Sequence, residues 1–296
     1  MIYQVTHRTT FTYTEPVAIS HHVLRLALRT HPRQHSLRSS LSIDPIPSVR
    51  SDGKDYFGNP LTHLTIQTPH PALIVEAQTV VDVQKPESIH LDQSLSWDQV
   101  PQRLQGSTDP EILDAQQFLF DSPYITVDDG TYDFVCECFP PGRPLLAGVM
   151  DLTSRIFQDF TYEGGVTDVS TPVQEVLHSR KGVCQDFAHL EIAALRSLGL
   201  PARYISGYLL THPPEGQKKL VGADASHAWL STWCPDIGWV DFDPTNNCIP
   251  HDEHISLAWG RDYGDVSPIN GFMVGGGQHT PTVSVDVSPV SLPSIV

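Results

Sequence analysis

The chain has 296 residues, of which 40% are hydrophobic and 18% charged. That balance excludes a disordered or low-complexity chain and leaves room for one large domain or two. The formal charge of −16 sets the surface against nucleic acid and anionic membranes and favours a basic peptide or protein.

No run of about eighteen apolar residues is present, so no membrane-spanning helix is expected. The opening MIYQVTHRTTFTYT lacks the basic and apolar regions of a signal peptide. Five cysteines, an odd number in a chain of this length, do not form a disulfide framework; a reducing, cytoplasmic setting is expected.

Residues 1–90 have strand chemistry. MIYQVTHRTTFTY, HHVLRLALRT, HLTIQT and ALIVEAQTVVDV are rich in Val, Ile, Thr and Tyr. Turn signals at Glu15-Pro16, Ser51-Asp52-Gly53, Gly58-Asn59-Pro60 and Pro69-His70-Pro71 separate them. The expectation is an antiparallel, sandwich-like β module. Residues 91–143 read as a connector with one helix, opened by Asp109 as cap, Pro110 at the first helical position and Glu111.

Residues 144–270 change pattern to α+β. Pro144 opens a helix through LLAGVMDLTSRIFQDF, and Thr171-Pro172-Val173-Gln174 reads as a capping-box start for VQEVLHS. CQDFAHLEIAALRSLG places Phe187, Leu190, Ala194, Leu195 and Leu198 on one helical face, ending at Gly199 and Pro201. ARYISGYLL, SHAWLSTWC and GWVDFD follow as strands. In residues 271–296, MVGGGQHT is flexible in composition and TPTVSVDVSPVSL alternates as one further strand.

Chemistry concentrates in the α+β region. Cys184 opens the amphipathic helix, where unpaired N–H groups and the positive end of the helix dipole favour a thiolate. Arg180 and Lys181 lie just upstream, and Gly182 leaves room for a substrate carbonyl. His227 shares one face of its strand with Trp229, Ser231 and Trp233. Pro235-Asp236-Ile237-Gly238 reads as a hairpin turn that makes Asp243 a cross-strand neighbour of His227. An acid beside an imidazole fixes its tautomer, which completes a nucleophile, base and orienter set. Asp241 has the same strand parity and is the rival acid.

These segments, TPVQEVLHSRKGVCQDFAHLEIAALRSLGLPARYISGYL and SHAWLSTWCPDIGWVDFDPTN, resemble the transglutaminase-like superfamily, in its bacterial branch of candidate cysteine proteases. The β-rich start is similar to the N-terminal region that accompanies that core in bacteria. The resemblance implies a papain/transglutaminase-like core, a helix carrying the cysteine packed on an antiparallel sheet. It assigns Cys184 as nucleophile, His227 as base and Asp243, in Asp243-Pro244-Thr245, as orienter. It also implies work alongside partner proteins of a peptide-processing system.

The expected reaction is acyl transfer through a thioester, with hydrolysis of a peptide or amide bond placed ahead of amine transfer and of a non-catalytic binding role. No cofactor is required. The backbone N–H of Cys184 is a natural oxyanion donor. Tyr162 and Gln185 are candidates for the second, and Trp229 and Trp239 for cleft walls. Asp186 is expected to anchor the helix start, and Arg203 to pair with an internal acid. His251 and His254 read as a solvated loop, not a metal site. Neither His21-His22 nor Cys136-x-Cys138 has metal-binding spacing.

Overall fold

The computed structural model describes residues 1–211 and 226–290; the last six residues of the 271–296 segment and residues 212–225 lie outside the described residues. Five strands form the N-terminal module: β1 (Ile2–Leu24), β2 (Gln34–Asp44), β3 (Val49–Lys54), β4 (Pro60–Ile66) and β5 (His70–Val83). Helices α1 (Val100–Leu104), α2 (Pro110–Gln116) and α3 (Asp129–Val135) make up the connector. Asp109 caps α2 by accepting from the Glu111 N–H at 2.9 Å, with Pro110 behind it.

The second module opens with α4 (Leu145–Asp159), β6 (Thr161–Tyr162), α5 (Val173–Ser179), β7 (Lys181–Gly182) and α6 (Cys184–Ser197). It continues through β8 (Ala202–Leu209), β9 (Ser226–Cys234), β10 (Gly238–Phe242), β11 (His254–Gly260) and α7 (Tyr263–Val266). The chain ends in β12 (Ile269–Gly275) and β13 (His279–Pro289).

The fold is α+β. One antiparallel sheet carries the order β2-β5-β1-β4-β3, and the other the order β10-β9-β8-β11. Strand β1 bends and serves two neighbourhoods. Its first half lies between β5 and β13, and its second half between β4 and β12, with the register shifting between Thr12 and Val17. The closing strands therefore belong to the N-terminal sheet. Met273 to Gly275, flexible by composition, are paired strand, because antiparallel partners on β1 outweigh the local preference of glycine for turns.

Helix α5 departs from its sequence signature. Pro172 is its N-cap and no side chain caps it. The Thr171 hydroxyl instead accepts from the Asp168 N–H at 2.9 Å, closing the turn that precedes the helix.

Three apolar clusters hold the molecule. The largest packs α4 and α6 against the inner face of β8, β9 and β10, through Leu152, Leu190, Ala194, Tyr204, Leu230 and Phe242. A second fills the N-terminal module around Val17, Leu64, Leu73 and Val75. The third joins the modules, packing Tyr3, Val5, Val285 and Val287 against Tyr208, Ile255 and Leu257.

Strand β11 is an edge of its sheet, and two buried side-chain amides complete it. Gln34 donates to the Ser256 carbonyl (2.7 Å) and accepts from the Ser256 N–H (2.8 Å). Asn59 does the same for Trp259, at 2.8 and 3.0 Å. Each amide turns one donor and one acceptor toward β11, the pair a neighbouring strand would have supplied.

Candidate active site

The site is built at the start of α6, beside the first residue pairs of β9. The β6–β7 pair is parallel, with Tyr162 opposite Gly182, and it delivers the chain to Cys184 at the first helical position. Asp186 fixes this start. Its Oδ2 accepts from the Val183 N–H (2.8 Å) and from the Thr167 hydroxyl (2.7 Å), as expected for an anchoring acid at the third helical position.

Gly182 is required by Asp186: a Cβ there would sit 2.8 Å from the Asp186 Cβ and Oδ2. Its role is to admit that carboxylate, a nearer constraint than room for substrate. The upstream cations are engaged elsewhere. Lys181 pairs with Glu163 at 2.8 Å, and Arg180 stacks on Phe134 and Phe160. Cys184 itself is half-buried at the helix N-terminus.

His227 stands between Cys184 and Asp243. Its Nε2–H donates to Asp243 Oδ2 at 2.7 Å, which leaves Nδ1 outside that bond, and the Cys184 side chain adds to the pull that raises the pKa of this ring. Strand β10 pairs with β9 so that Phe242 opposes Leu230. Continuing that register one residue sets Asp243 opposite Trp229, diagonal to His227, from where its carboxylate reaches across.

Asp241 is engaged elsewhere, with Arg33 at 3.2 Å. Asp243 is fully buried and accepts from the backbone N–H groups of Thr245 (2.9 Å) and Asn246 (3.2 Å). The Asn246 amide also donates to it at 2.7 Å.

A further histidine completes the cluster. His254 Nε2 lies 3.0 Å from the same Asp243 Oδ2. His254 is buried at the start of β11, which corrects its reading as a solvated loop residue. Apolar neighbours on a strand, beginning at Ile255, pull it inward. His227, Asp243 and His254 offer ligand atoms within 4.8 Å of one another, a set chemically able to hold a transition-metal ion. The hydrogen bonds already drawn satisfy Asp243 without one.

Electrostatics follow from this packing. Burial alone would lower the His227 pKa, but the hydrogen bond and charge of Asp243, with Cys184, raise it to about 10. Burial alone would raise the Asp243 pKa, but the hydrogen bonds from His227 and His254 hold it well below the usual carboxylate range. The acid is therefore ionised and the imidazole readily protonated, the state that stabilises a neighbouring thiolate.

The supporting candidates separate. Tyr162 is 59% exposed, one strand from the Cys184 loop, and burial together with the charges of Cys184 and Asp186 raises its hydroxyl pKa. The Gln185 amide donates to the Val169 carbonyl at 3.1 Å and so braces a loop. Trp229 is fully buried and packs beneath His227 and His254, with ring centroids 5.9 and 5.3 Å away; it supports the cluster from below. Arg203 makes no ion pair among the described residues, and stacks instead between Trp239 and Trp259. Cys136 and Cys138 sit in a short helical turn, one exposed and one buried.

Sequence reasoning missed Asn246, His254 and Glu191. The first was visible as an Asx-type turn after Asp243-Pro244; the others carry no local signature. Glu191, two turns along α6, is fully buried, accepts from the Thr153 hydroxyl at 2.7 Å and has no partner for Oε2. Burial, with the nearby Asp243 charge, raises its pKa to about 8.

A raised carboxyl pKa means the folded state keeps a proton that the unfolded state loses. Glu191 therefore contributes full stability below about pH 4.5, and loses about 1.4 kcal/mol per pH unit as pH rises toward about 8. Glu191→Gln is expected to hold its melting temperature between pH 6 and 9 better than the native chain does, as measured by calorimetry.

Comparison with known proteins identifies the family. Residues 3–82 match the bacterial transglutaminase-like N-terminal region, and residues 140–244 match the transglutaminase-like superfamily core. An uncharacterized protein of Mycobacterium tuberculosis is 39% identical over 296 residues, covering 97% of this chain and 92% of that one. Over a shorter stretch of 107 residues, 33% of this chain and 16% of the relative, 37% identity is found to a protein-glutamine gamma-glutamyltransferase of Pseudomonas aeruginosa.

The crystal structure of a candidate cysteine protease from Cytophaga hutchinsonii has the same fold. Its TM-score is 0.80 at 24% identity, covering 99% of this chain and 92% of that one. The chain belongs to the transglutaminase-like superfamily, carrying its core together with the bacterial N-terminal region.

Proposed function

We propose that this protein is a cysteine-nucleophile acyl-transfer enzyme that hydrolyses peptide or amide bonds. The observation that carries the reading is the bridging position of His227, bonded through Nε2 to a buried, multiply bonded Asp243 and placed against Cys184 at a helix start.

In the proposed cycle His227 takes the thiol proton and the Cys184 sulfur attacks the carbonyl carbon. The oxyanion gathers at the Cys184 backbone N–H, with Tyr162 the better placed second donor. His227 then protonates the leaving amine, and water resolves the thioester. Asp243 holds the imidazole and stabilises its charged form.

Two features support water as the acceptor: Cys184 is only half-buried, and Tyr162 beside it is largely exposed. The protein-glutamine gamma-glutamyltransferase relative favours a second reading, transfer to a lysine or other amine. The net charge of −16 favours a basic peptide in either case.

Iodoacetamide labelling across pH, with the modified cysteine located by mass spectrometry, tests the proposal. Cys184 is expected to label rapidly below pH 7, and His227→Ala to move that reactivity up to the free-thiol range near pH 8.5. Labelling of native Cys184 no faster than a free thiol would sink the reading.

A further inference from the structure

Away from the triad, a cavity of about 710 Å³ opens where the N-terminal module, helix α2 and the β8–β11 sheet meet. Arg203 is its central oddity. The residue is 7% exposed, yet its side chain makes no ion pair or hydrogen bond among the described residues, and its Nε has no partner. It is the third layer of a stack running Arg29, Trp259, Arg203, Trp239. The guanidinium carbons lie 3.4 Å (Arg29) and 3.9 Å (Arg203) from the Trp259 centroid, and 4.1 Å (Arg203) from that of Trp239.

Ring faces satisfy the flat sides of a guanidinium but not the N–H groups around its edge, which need acceptors in their own plane. A buried charge with its donors unmet is costly. Asp241, an acid in the same cavity wall, is already bonded to Arg33. The free edge of Arg203 thus borders the cavity it lines.

We propose that this cavity is a binding site for a peptide carboxylate, with the Arg203 guanidinium as its anchor and the indoles of Trp233 and Trp239 as its walls. A carboxylate presents two acceptors in one plane and meets a guanidinium edge in two parallel hydrogen bonds. The acids Glu111 and Asp114 on α2 also line the cavity. They repel a second carboxylate and welcome an ammonium, so the fit is to a singly acidic peptide and not to a polyanion. Burial lowers the Arg203 pKa, offset in part by Asp241, to about 9, which leaves the group charged at neutral pH. The site does not depend on the triad and stands whatever chemistry Cys184 performs.

Tryptophan fluorescence titration tests the proposal on the full-length protein with three probes: N-benzoylglycine, its primary amide, and the α-amide of N-benzoylglutamic acid. The native chain is expected to bind at least one of the two acids tenfold or more tightly than the neutral amide. Whichever acid binds tells whether the carboxylate comes from a chain terminus or a side chain. Arg203→Gln should bring acid and amide within twofold of each other. Trp239→Phe should diminish the quench, and Cys184→Ala should leave the titration unchanged.

Equal binding of acids and amide by the native chain overturns the proposal, as does an acid preference that survives Arg203→Gln. If Arg203→Gln does not fold, the native-chain comparison and the quench amplitudes of Trp233→Phe and Trp239→Phe decide: an acid-selective quench undiminished in both variants places binding elsewhere and refutes the site.

Discussion

Cys184→Ala is expected to abolish turnover while leaving the fold and its melting temperature nearly unchanged. The residue is half-buried at a helix start, where alanine fits, so only the sulfur chemistry is removed. Losses for a deleted nucleophile are on the order of 10⁴-fold or more, the remainder coming from binding and oxyanion donors.

Two readouts are informative together: amine release from dimethylcasein, and incorporation of a biotinylated pentylamine into it. Loss of both in Cys184→Ala ties them to one thioester. Amine release without incorporation in the native protein assigns water as the acceptor. Incorporation that accounts for all of the amine released reverses the preference for hydrolysis. Activity persisting in Cys184→Ala would refute the nucleophile.

Asp243→Ala is expected to damage stability as well as activity. It strips the hydrogen-bond partner from His227 and His254 at once, and leaves two buried imidazoles and the Thr245 and Asn246 N–H groups without their acceptor. Removing one member of a buried, hydrogen-bonded charge pair costs about 3–5 kcal/mol. Urea denaturation should therefore show a large fall in midpoint, where Cys184→Ala shows little.

The pH profile carries a signature. Asp243 is depressed in the fold, so its contribution is present above the ordinary carboxylate pKa near 3.9 and is lost as pH falls through the folded value. His227 is raised, so its contribution is complete below about 6.5 and is lost as pH climbs toward about 10. The pair contributes most between roughly pH 4 and 6.5. In Asp243→Ala that bell should flatten. A variant as stable as the native chain, with the same profile, would mean the network is not coupled to folding.

Much of this site was legible along the chain because its determinants are local. A thiol that opens an amphipathic helix, a histidine on an alternating strand and an acid before a proline each show in a window of a few residues. The hairpin turn between the last two supplies their proximity. His254 was hidden for the opposite reason: the chain leaves the sheet after Asp243 and returns eleven residues later, a reversal no short window encodes.

The Arg203 stack was equally hidden. Its outer layer, Arg29, comes from the first module, and the ring between them from β11. The composition of 273–277 pointed to a flexible link, whereas pairing with a strand more than 250 residues upstream, Ile19 with Val274 and Ser20 with Met273, decides its structure. Local preference lost to long-range register there.

The two amides on β11 bear on how this protein can be divided. A bare strand edge recruits the next copy of itself, and exposed edges are a common origin of aggregation. Gln34 and Asn59 act as chaperones in place: by occupying the donors and acceptors of Ser256 and Trp259, they keep the β11 edge from pairing further. Genetic excision of the second module would release that valence along with the apolar strip of Ile255 and Leu257. The first module therefore insulates the edge of the core, and a fusion or truncation that separates them should be sought only where both amides travel with β11.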